Sequence, residues 1–277
     1  MKFFDIHHHY NLFQYGDKRV EIPKNKTSSE YFESELIRYC KKLDMKVVVN
    51  GLGFCNFSET LMDMNDEVEK FFRNNEEYVI GSGFVDLDYD MPNKIDNLFK
   101  RGFKGIKVHI NKKRYDDRRY FEFYKRCEYY NLPILFHTGI SGLKGDLKGK
   151  ANSYNTKPIF LEDIAVNFPK LNIIGAHLGY GFYEEACCLA ASFRYGSNNI
   201  FFDISGDDDV YMRLTKDCLI NKDIPAGNLL WGLDIQFFRY EEIIAMWKKY
   251  FSKLDLNQED QNKIFYKNSC NIFNITY

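Results

Sequence analysis

Asp5-Ile6-His7-His8-His9 stands at the end of a short apolar run that begins at Phe3. In an extended strand successive side chains alternate faces, so His7 and His9 share one face and His8 takes the other. Two imidazoles on one face, one residue apart, can chelate a single metal ion. No Gly/Ser linker sets the triplet off, so it reads as part of a strand and not as a tag remnant. Asp5 shares parity with His7 and lies deeper, which predicts a supporting or core-polar role for it.

Downstream, short apolar and β-branched runs alternate with helically spaced segments. Strands are predicted at 46–50, 78–85, 104–110, 133–136, 172–176, 200–204 and 228–233. Helix-like segments fall at 30–43, 59–74, 92–101, 118–131, 158–168, 183–195 and 210–220, with further helical segments at the C-terminus. With the histidine strand this makes eight strands, a helix after nearly every one, and no Pro/Gly-rich linker. The pattern predicts an α/β fold, a single (β/α)8 TIM-barrel domain over residues 1–277, with an open doubly wound sheet as the alternative. Gly51-Leu52-Gly53 and Gly81-Ser82-Gly83 lack the third glycine of a dinucleotide fingerprint, Asn56 and Asp86 standing in its place. They read as tight strand ends.

The apolar fraction of 45% is ample for a core, and the net charge of -1 gives no electrostatic basis for binding nucleic acid or an anionic membrane. Seven cysteines occur without a C-x-x-C pair, in a chain too long to need staples, so all are expected as reduced thiols. No apolar run reaches transmembrane length and none reads as a signal peptide, so a cytoplasmic location is expected. A small-molecule substrate is the expected partner, and homo-oligomerisation stays open.

The six histidines are 7, 8, 9, 109, 137 and 177. They occupy the C-terminal ends of the first, fourth, fifth and sixth predicted strands, and Asp234 lies at the same point of the eighth. In a barrel those ends converge on the face where active sites are built.

On these residues the chain resembles the amidohydrolase superfamily, in its amidohydrolase-related branch of metal-dependent hydrolases and decarboxylases. The matching stretches are Asp5-Ile6-His7-His8-His9, Gly102 to His109, Pro133 to Gly139, Pro158 to Gly179, Phe202-Asp203-Ile204-Ser205-Gly206 and the region around Asn268. Two departures stand at the eighth strand. Leu233 replaces a small polar residue before the Asp, and Ile235-Gln236 replaces an aromatic-Pro pair.

The resemblance implies that His7, His9, His137 and Asp234 bind a divalent cation, with one Zn2+ the first expectation and Mn2+ the alternative metal. Asp234 would also take a proton from bound water, and His177 would sit beside that water or the substrate oxygen. Lys107 and His109 would bind substrate, Lys107 through a carboxylate or phosphate. In the alternative, a carboxylated Lys107 bridges two metals, and His137 and His177 bind the second. The leading function is hydrolysis of an ester, lactone or amide. The alternatives are non-oxidative decarboxylation of an unsaturated or aromatic acid, with Arg239 read either as a partner for the substrate carboxylate or as one half of a surface salt bridge, and a non-catalytic relative. Substrate choice would rest with the loops 10–29 and 141–156, the second rich in Gly and Lys.

Overall fold

The computed structural model describes residues 1–10, 21–55, 60–109, 111–140, 152–192, 199–206 and 224–277. Ten strands fall within them: β1 (Phe3–His9), β2 (Met45–Asn50), β3 (Leu52–Cys55), β4 (Thr60–Asp63), β5 (Val79–Phe84), β6 (Gly105–Val108), β7 (Ile134–Phe136), β8 (Ile173–Gly175), β9 (Ile200–Asp203) and β10 (Leu229–Leu230). Eight of them form one parallel sheet in the order β1-β2-β5-β6-β7-β8-β9-β10. These are the eight predicted strands, and they curl into a nearly closed barrel. β10 returns to β1 through the Ile6 N–H, which donates to the Trp231 carbonyl at 3.1 Å, and the Asp234 N–H, which donates to the His7 carbonyl at 2.7 Å.

Helices α1 (Ser28–Leu43), α2 (Asn65–Asn74), α3 (Lys94–Lys100), α4 (Phe121–Tyr129), α5 (Leu161–Asn167), α6 (Tyr183–Ser192), α7 (Tyr240–Lys253), α8 (Gln258–Asn262) and α9 (Asn268–Phe273) surround the barrel. The sequence stops of α1 are explicit. Thr27 and Glu30 form a capping box, and Asp44 ends the helix in the left-handed region. The predicted 210–220 helix lies outside the described residues. Among those residues no helix is long and apolar enough to cross a membrane. Cys40, Cys127, Cys187, Cys188 and Cys270 are free thiols.

Two apolar layers follow from strand parity. Outward residues such as Val47, Val49, Ile106, Ile134 and Phe202 pack beneath the helices. Inward residues, Phe4, Ile6, Val48, Ile80, Leu135, Ile174, Phe201 and Leu230, fill the barrel, and Ile272 and Phe273 of α9 join that cluster.

Two local predictions are corrected. The stretch beginning at residue 59 is not helical from its start. β4 pairs antiparallel with β3, and α2 begins only at Asn65, whose N–H is held by the Asp63 carboxylate at 2.9 Å. Asn65 in turn exchanges two side-chain hydrogen bonds with the backbone of Phe84, tying the hairpin to β5. The second correction concerns the parity of Asp5 with His7, while its core-polar role stands. Pairing along β1 shifts between Asp5 and His8, so that Ile6 and His7 together oppose Val48. This β-bulge breaks the alternation and re-aims the side chains on either side of it. Asp5 therefore turns away from His7 towards α7.

Asp5 is completely buried there. Its Oδ1 accepts from the N–H groups of His7 (2.9 Å) and Leu233 (3.0 Å), and its Oδ2 accepts from the Tyr240 hydroxyl (2.6 Å). One carboxylate thus staples the seam between the first and last strands. Asp5→Ala leaves these donors buried without an acceptor and is expected to cost about 3–5 kcal/mol of unfolding free energy. Tyr240→Phe removes a single donor and should cost about 1 kcal/mol. Urea unfolding of the two variants checks both values.

Candidate active site

The strand ends place every predicted site residue at one mouth of the barrel. His7 and His9 come from β1, Lys107 from β6, His109 and His137 from the residues just past β6 and β7, and His177 from the turn after β8. Asp234 follows β10. His8, as parity predicts, faces the helices and lies between the rings of Phe32 and Tyr240.

Asp234 is the centre of the group. Its Oδ1 lies 3.1 Å from His9 Nε2 and 3.4 Å from His7 Nε2, and its Oδ2 lies 3.4 Å from His177 Nε2. Lys107 Nζ is 2.9 Å from His7 Nε2. The His137 ring packs edge-on to His177 at 5.4 Å and stacks on His109 at 4.5 Å. Tyr115 sits behind this pair, with its hydroxyl donating to the His137 carbonyl at 2.7 Å and within 3.1 Å of the His109 carbonyl. Arg239 pairs with Glu242.

Three of the imidazoles, those of His7, His9 and His177, have a fixed back side. His9 Nδ1 faces the Leu52 carbonyl at 3.0 Å, so the β3–β4 hairpin orients that ring. His7 Nδ1 is 2.9 Å from Asp203 Oδ2. Asp203 Oδ1 accepts from the His177 N–H (2.9 Å) and the Ser205 N–H (2.9 Å). That contact holds the His177 backbone at φ 56, in the left-handed region that non-glycine residues rarely occupy; Leu178 (φ 46) and Asp234 (φ 51) share it. Strain concentrated at the site residues is held by the hydrogen bonds behind them. Close approach also matters at Gly139, where a side chain would strike the Tyr180 backbone.

Burial sets the protonation states. It pulls His7 down to about 4 and also lowers His9, although Asp234 opposes both shifts. Burial, with the neighbouring His177, holds His137 well below the ordinary imidazole value. Burial brings the Lys107 ammonium down to about 8. Burial opposes ionisation of Asp234, yet the surrounding His7 and His177 keep its carboxyl well below the usual range. The result is an ionised Asp234 carboxylate beside His7 and His9, whose protonation burial disfavours.

Those residues suit a divalent metal. His7, His177 and Asp234 each offer a ligand atom, all within 4.8 Å of one another. Burial favours the neutral, ligating form of His7, His9 and His137, and among the described residues His137 Nε2 is buried without a hydrogen-bond partner. His177 is thus as close to Asp234 as His7 is.

Sequence reasoning assigned no role to Asp203, Ser205 or Tyr115. Asp203 carried a legible signal, because it is an acid at the end of a strand whose neighbours end in histidines. Tyr115 carried none, since its partners are backbone carbonyls.

The sequence matches the amidohydrolase family over residues 4–275. The chain belongs to that family. No curated protein matches it. Among solved structures it is similar to a probable 2-pyrone-4,6-dicarboxylic acid hydrolase from Acinetobacter baumannii with citric acid bound (14% identity, TM-score 0.62, 99% of this chain and 100% of that one). It is also similar to 2,6-dihydroxybenzoate decarboxylase from Rhizobium (14%, 0.63, 99% and 98%). A third is 5-carboxyvanillate decarboxylase from Novosphingobium aromaticivorans, complexed with manganese and 4-hydroxy-3-methoxy-5-nitrobenzoic acid (15%, 0.64, 99% and 96%). At such identities these likenesses speak for the barrel.

The Asp203 carboxylate behind His7 makes a measurable prediction. Carboxylate partners of ligating histidines are worth about 10–100-fold in metal affinity. Asp203→Asn should therefore weaken zinc or manganese binding by that factor, measured by competition with a chromophoric chelator, while the circular dichroism spectrum keeps its wild-type shape.

Proposed function

We propose that this amidohydrolase-family protein is a metal-dependent hydrolase that directs water at the carbonyl of an ester, lactone or amide in a small anionic substrate. The observation that carries the reading is the ionised Asp234 carboxylate, approached at 3.1–3.4 Å by Nε2 atoms of His9, His7 and His177. His7, His9, His137 and Asp234 would hold the ion, in first place zinc. Such an ion supplies Lewis acidity, bringing the pKa of water from about 15.7 towards 7 and polarising a carbonyl oxygen.

The remaining steps belong to the chain's own groups. Asp234 receives the proton of the attacking water and returns it to the leaving group, a task worth roughly 10²–10⁴-fold in rate. His177, whose Nε2 lies beside Asp234 Oδ2, accepts from the water and holds it against the carboxylate. Lys107 and His109 line the mouth and bind the anionic end of the substrate. Lys107 Nζ, 2.9 Å from His7 Nε2, would turn to that anion when His7 serves as a ligand. The apolar barrel filling beneath excludes water from below.

A second reading is supported by the two decarboxylases among the similar structures. Here the same residues would release carbon dioxide from an unsaturated or aromatic acid. A panel of lactones, esters and amides beside a panel of aromatic and unsaturated acids separates the two, through acid release in one case and carbon dioxide release in the other. Asp234→Asn should lower turnover in either panel by about 10²–10⁴-fold with little change in melting temperature. Full activity of this variant would sink the assignment of Asp234, and lack of turnover on every lactone, ester and amide would sink the hydrolase reading.

A further inference from the structure

Ser205 lies two residues past β9 and is 1% exposed. Its hydroxyl meets three groups. Asp203 Oδ1 is 2.5 Å away, His177 Nδ1 3.0 Å, and His7 Nδ1 3.1 Å. A hydroxyl has one proton to give and two lone pairs with which to accept. The three neighbours compete for that proton, and the chemistry decides among them. A carboxylate acceptor makes a charge-assisted bond about twice as strong as a neutral one. The shortest of the three distances is also the one to Asp203. The proton therefore goes to Asp203 Oδ1, and Ser205 Oγ is left as an acceptor towards both rings.

We propose that Ser205 is a positioning residue that sets the tautomer of His177. With Oγ accepting, His177 carries its proton on Nδ1 and turns the Nε2 lone pair towards Asp234 Oδ2, 3.4 Å away. His7 obeys the same rule through Asp203, because a carboxylate oxygen 2.9 Å from Nδ1 requires a donor there. Both rings thus present acceptors to Asp234, which is itself acceptor-only. The arrangement fits a shared cation or a proton and does not fit a neutral histidine that donates to substrate. His177 enters the reaction as an acceptor. Without the hydroxyl, the alternative tautomer becomes attractive, since an Nε2–H could donate directly to Asp234.

The activity arm of the test rests on the hydrolase reading; the tautomer arm does not. Protein labelled with 15N-histidine is dialysed against a chelator, and its ring nitrogens are assigned by comparison with His177→Gln. Protonated and unprotonated ring nitrogens give well-separated signals. The expected wild-type spectrum has His177 protonated on Nδ1 alone, and Ser205→Ala should move the proton towards Nε2. On any ester or lactone that the zinc-loaded wild type turns over, Ser205→Ala should lose about 10–100-fold in kcat with KM nearly unchanged. A wild-type His177 protonated on Nε2, or an unaltered spectrum in Ser205→Ala, overturns the proposal. Should Ser205→Ala fail to fold, the wild-type spectrum decides alone. The expected spectra without turnover on any substrate would uphold Ser205 and reject the hydrolase reading.

Discussion

Of the two backbone hydrogen bonds that close the barrel, the one from the Asp234 N–H to the His7 carbonyl at 2.7 Å also assembles its site. It joins the last strand to the first, so residues 227 positions apart in the chain become neighbours. The contact also fixes how far the Asp234 carboxylate stands from the His7 and His9 rings. Side-chain rotation alone could not hold three imidazole nitrogens within 3.1–3.4 Å of one carboxylate. The left-handed backbone of Asp234 is the strain that this closure imposes. Asp5, one turn of the seam below, offsets it by accepting from Leu233 and His7 on the two sides.

Three buried or half-buried carboxylates cluster in this region, and their donors separate their duties. Asp5 is satisfied by two backbone N–H groups and a phenol. Asp203 is satisfied by two backbone N–H groups, a serine hydroxyl and the His7 ring. A carboxylate with its lone pairs filled by rigid donors is inert as a base and effective as a clamp. Asp234 instead faces ring nitrogens, among them those of His7 and His9, whose pKa values burial holds down. The difference comes from what faces each group, since the three share a chemistry and a neighbourhood.

Much of this was legible in the sequence because a TIM barrel converts position in a strand into position in space. The eight strands follow from β-branched runs, and a histidine or Asp at a strand's end is placed at the mouth by topology alone. What escaped did so where local rules are broken. The bulge between Asp5 and His8 inserts a residue and reverses the parity that linked Asp5 to His7. The β3–β4 hairpin escaped because its strands are four residues each and run into a helix with strong spacing. Asp203 and Ser205 act through His7 and His177, so their roles depend on distances between strands that no spacing within one strand encodes. Arg239 was open to two readings, and its pairing with the exposed Glu242 three residues on supports the salt bridge. The loop segments 11–20 and 141–151 lie outside the described residues, and with them most of what was expected to set specificity.

Charge bookkeeping ties the site to its chemistry. Asp203 and Asp234 together bring two negative charges into the mouth, against the ammonium of Lys107, which burial holds to about 8. His7, His9, His109 and His137, neutral by burial, contribute nothing to the balance near pH 7. The mouth therefore carries a deficit of positive charge in a region where low polarity makes each unbalanced charge costly. Protonating a histidine would relieve it, but desolvation opposes that at His7, His9 and His137 alike. A divalent cation relieves it without desolvating a second ionisable group, because the ring lone pairs replace the water that the ion gives up. The same burial that keeps the rings neutral thus makes them ligands and makes an ion the favourable partner for Asp234.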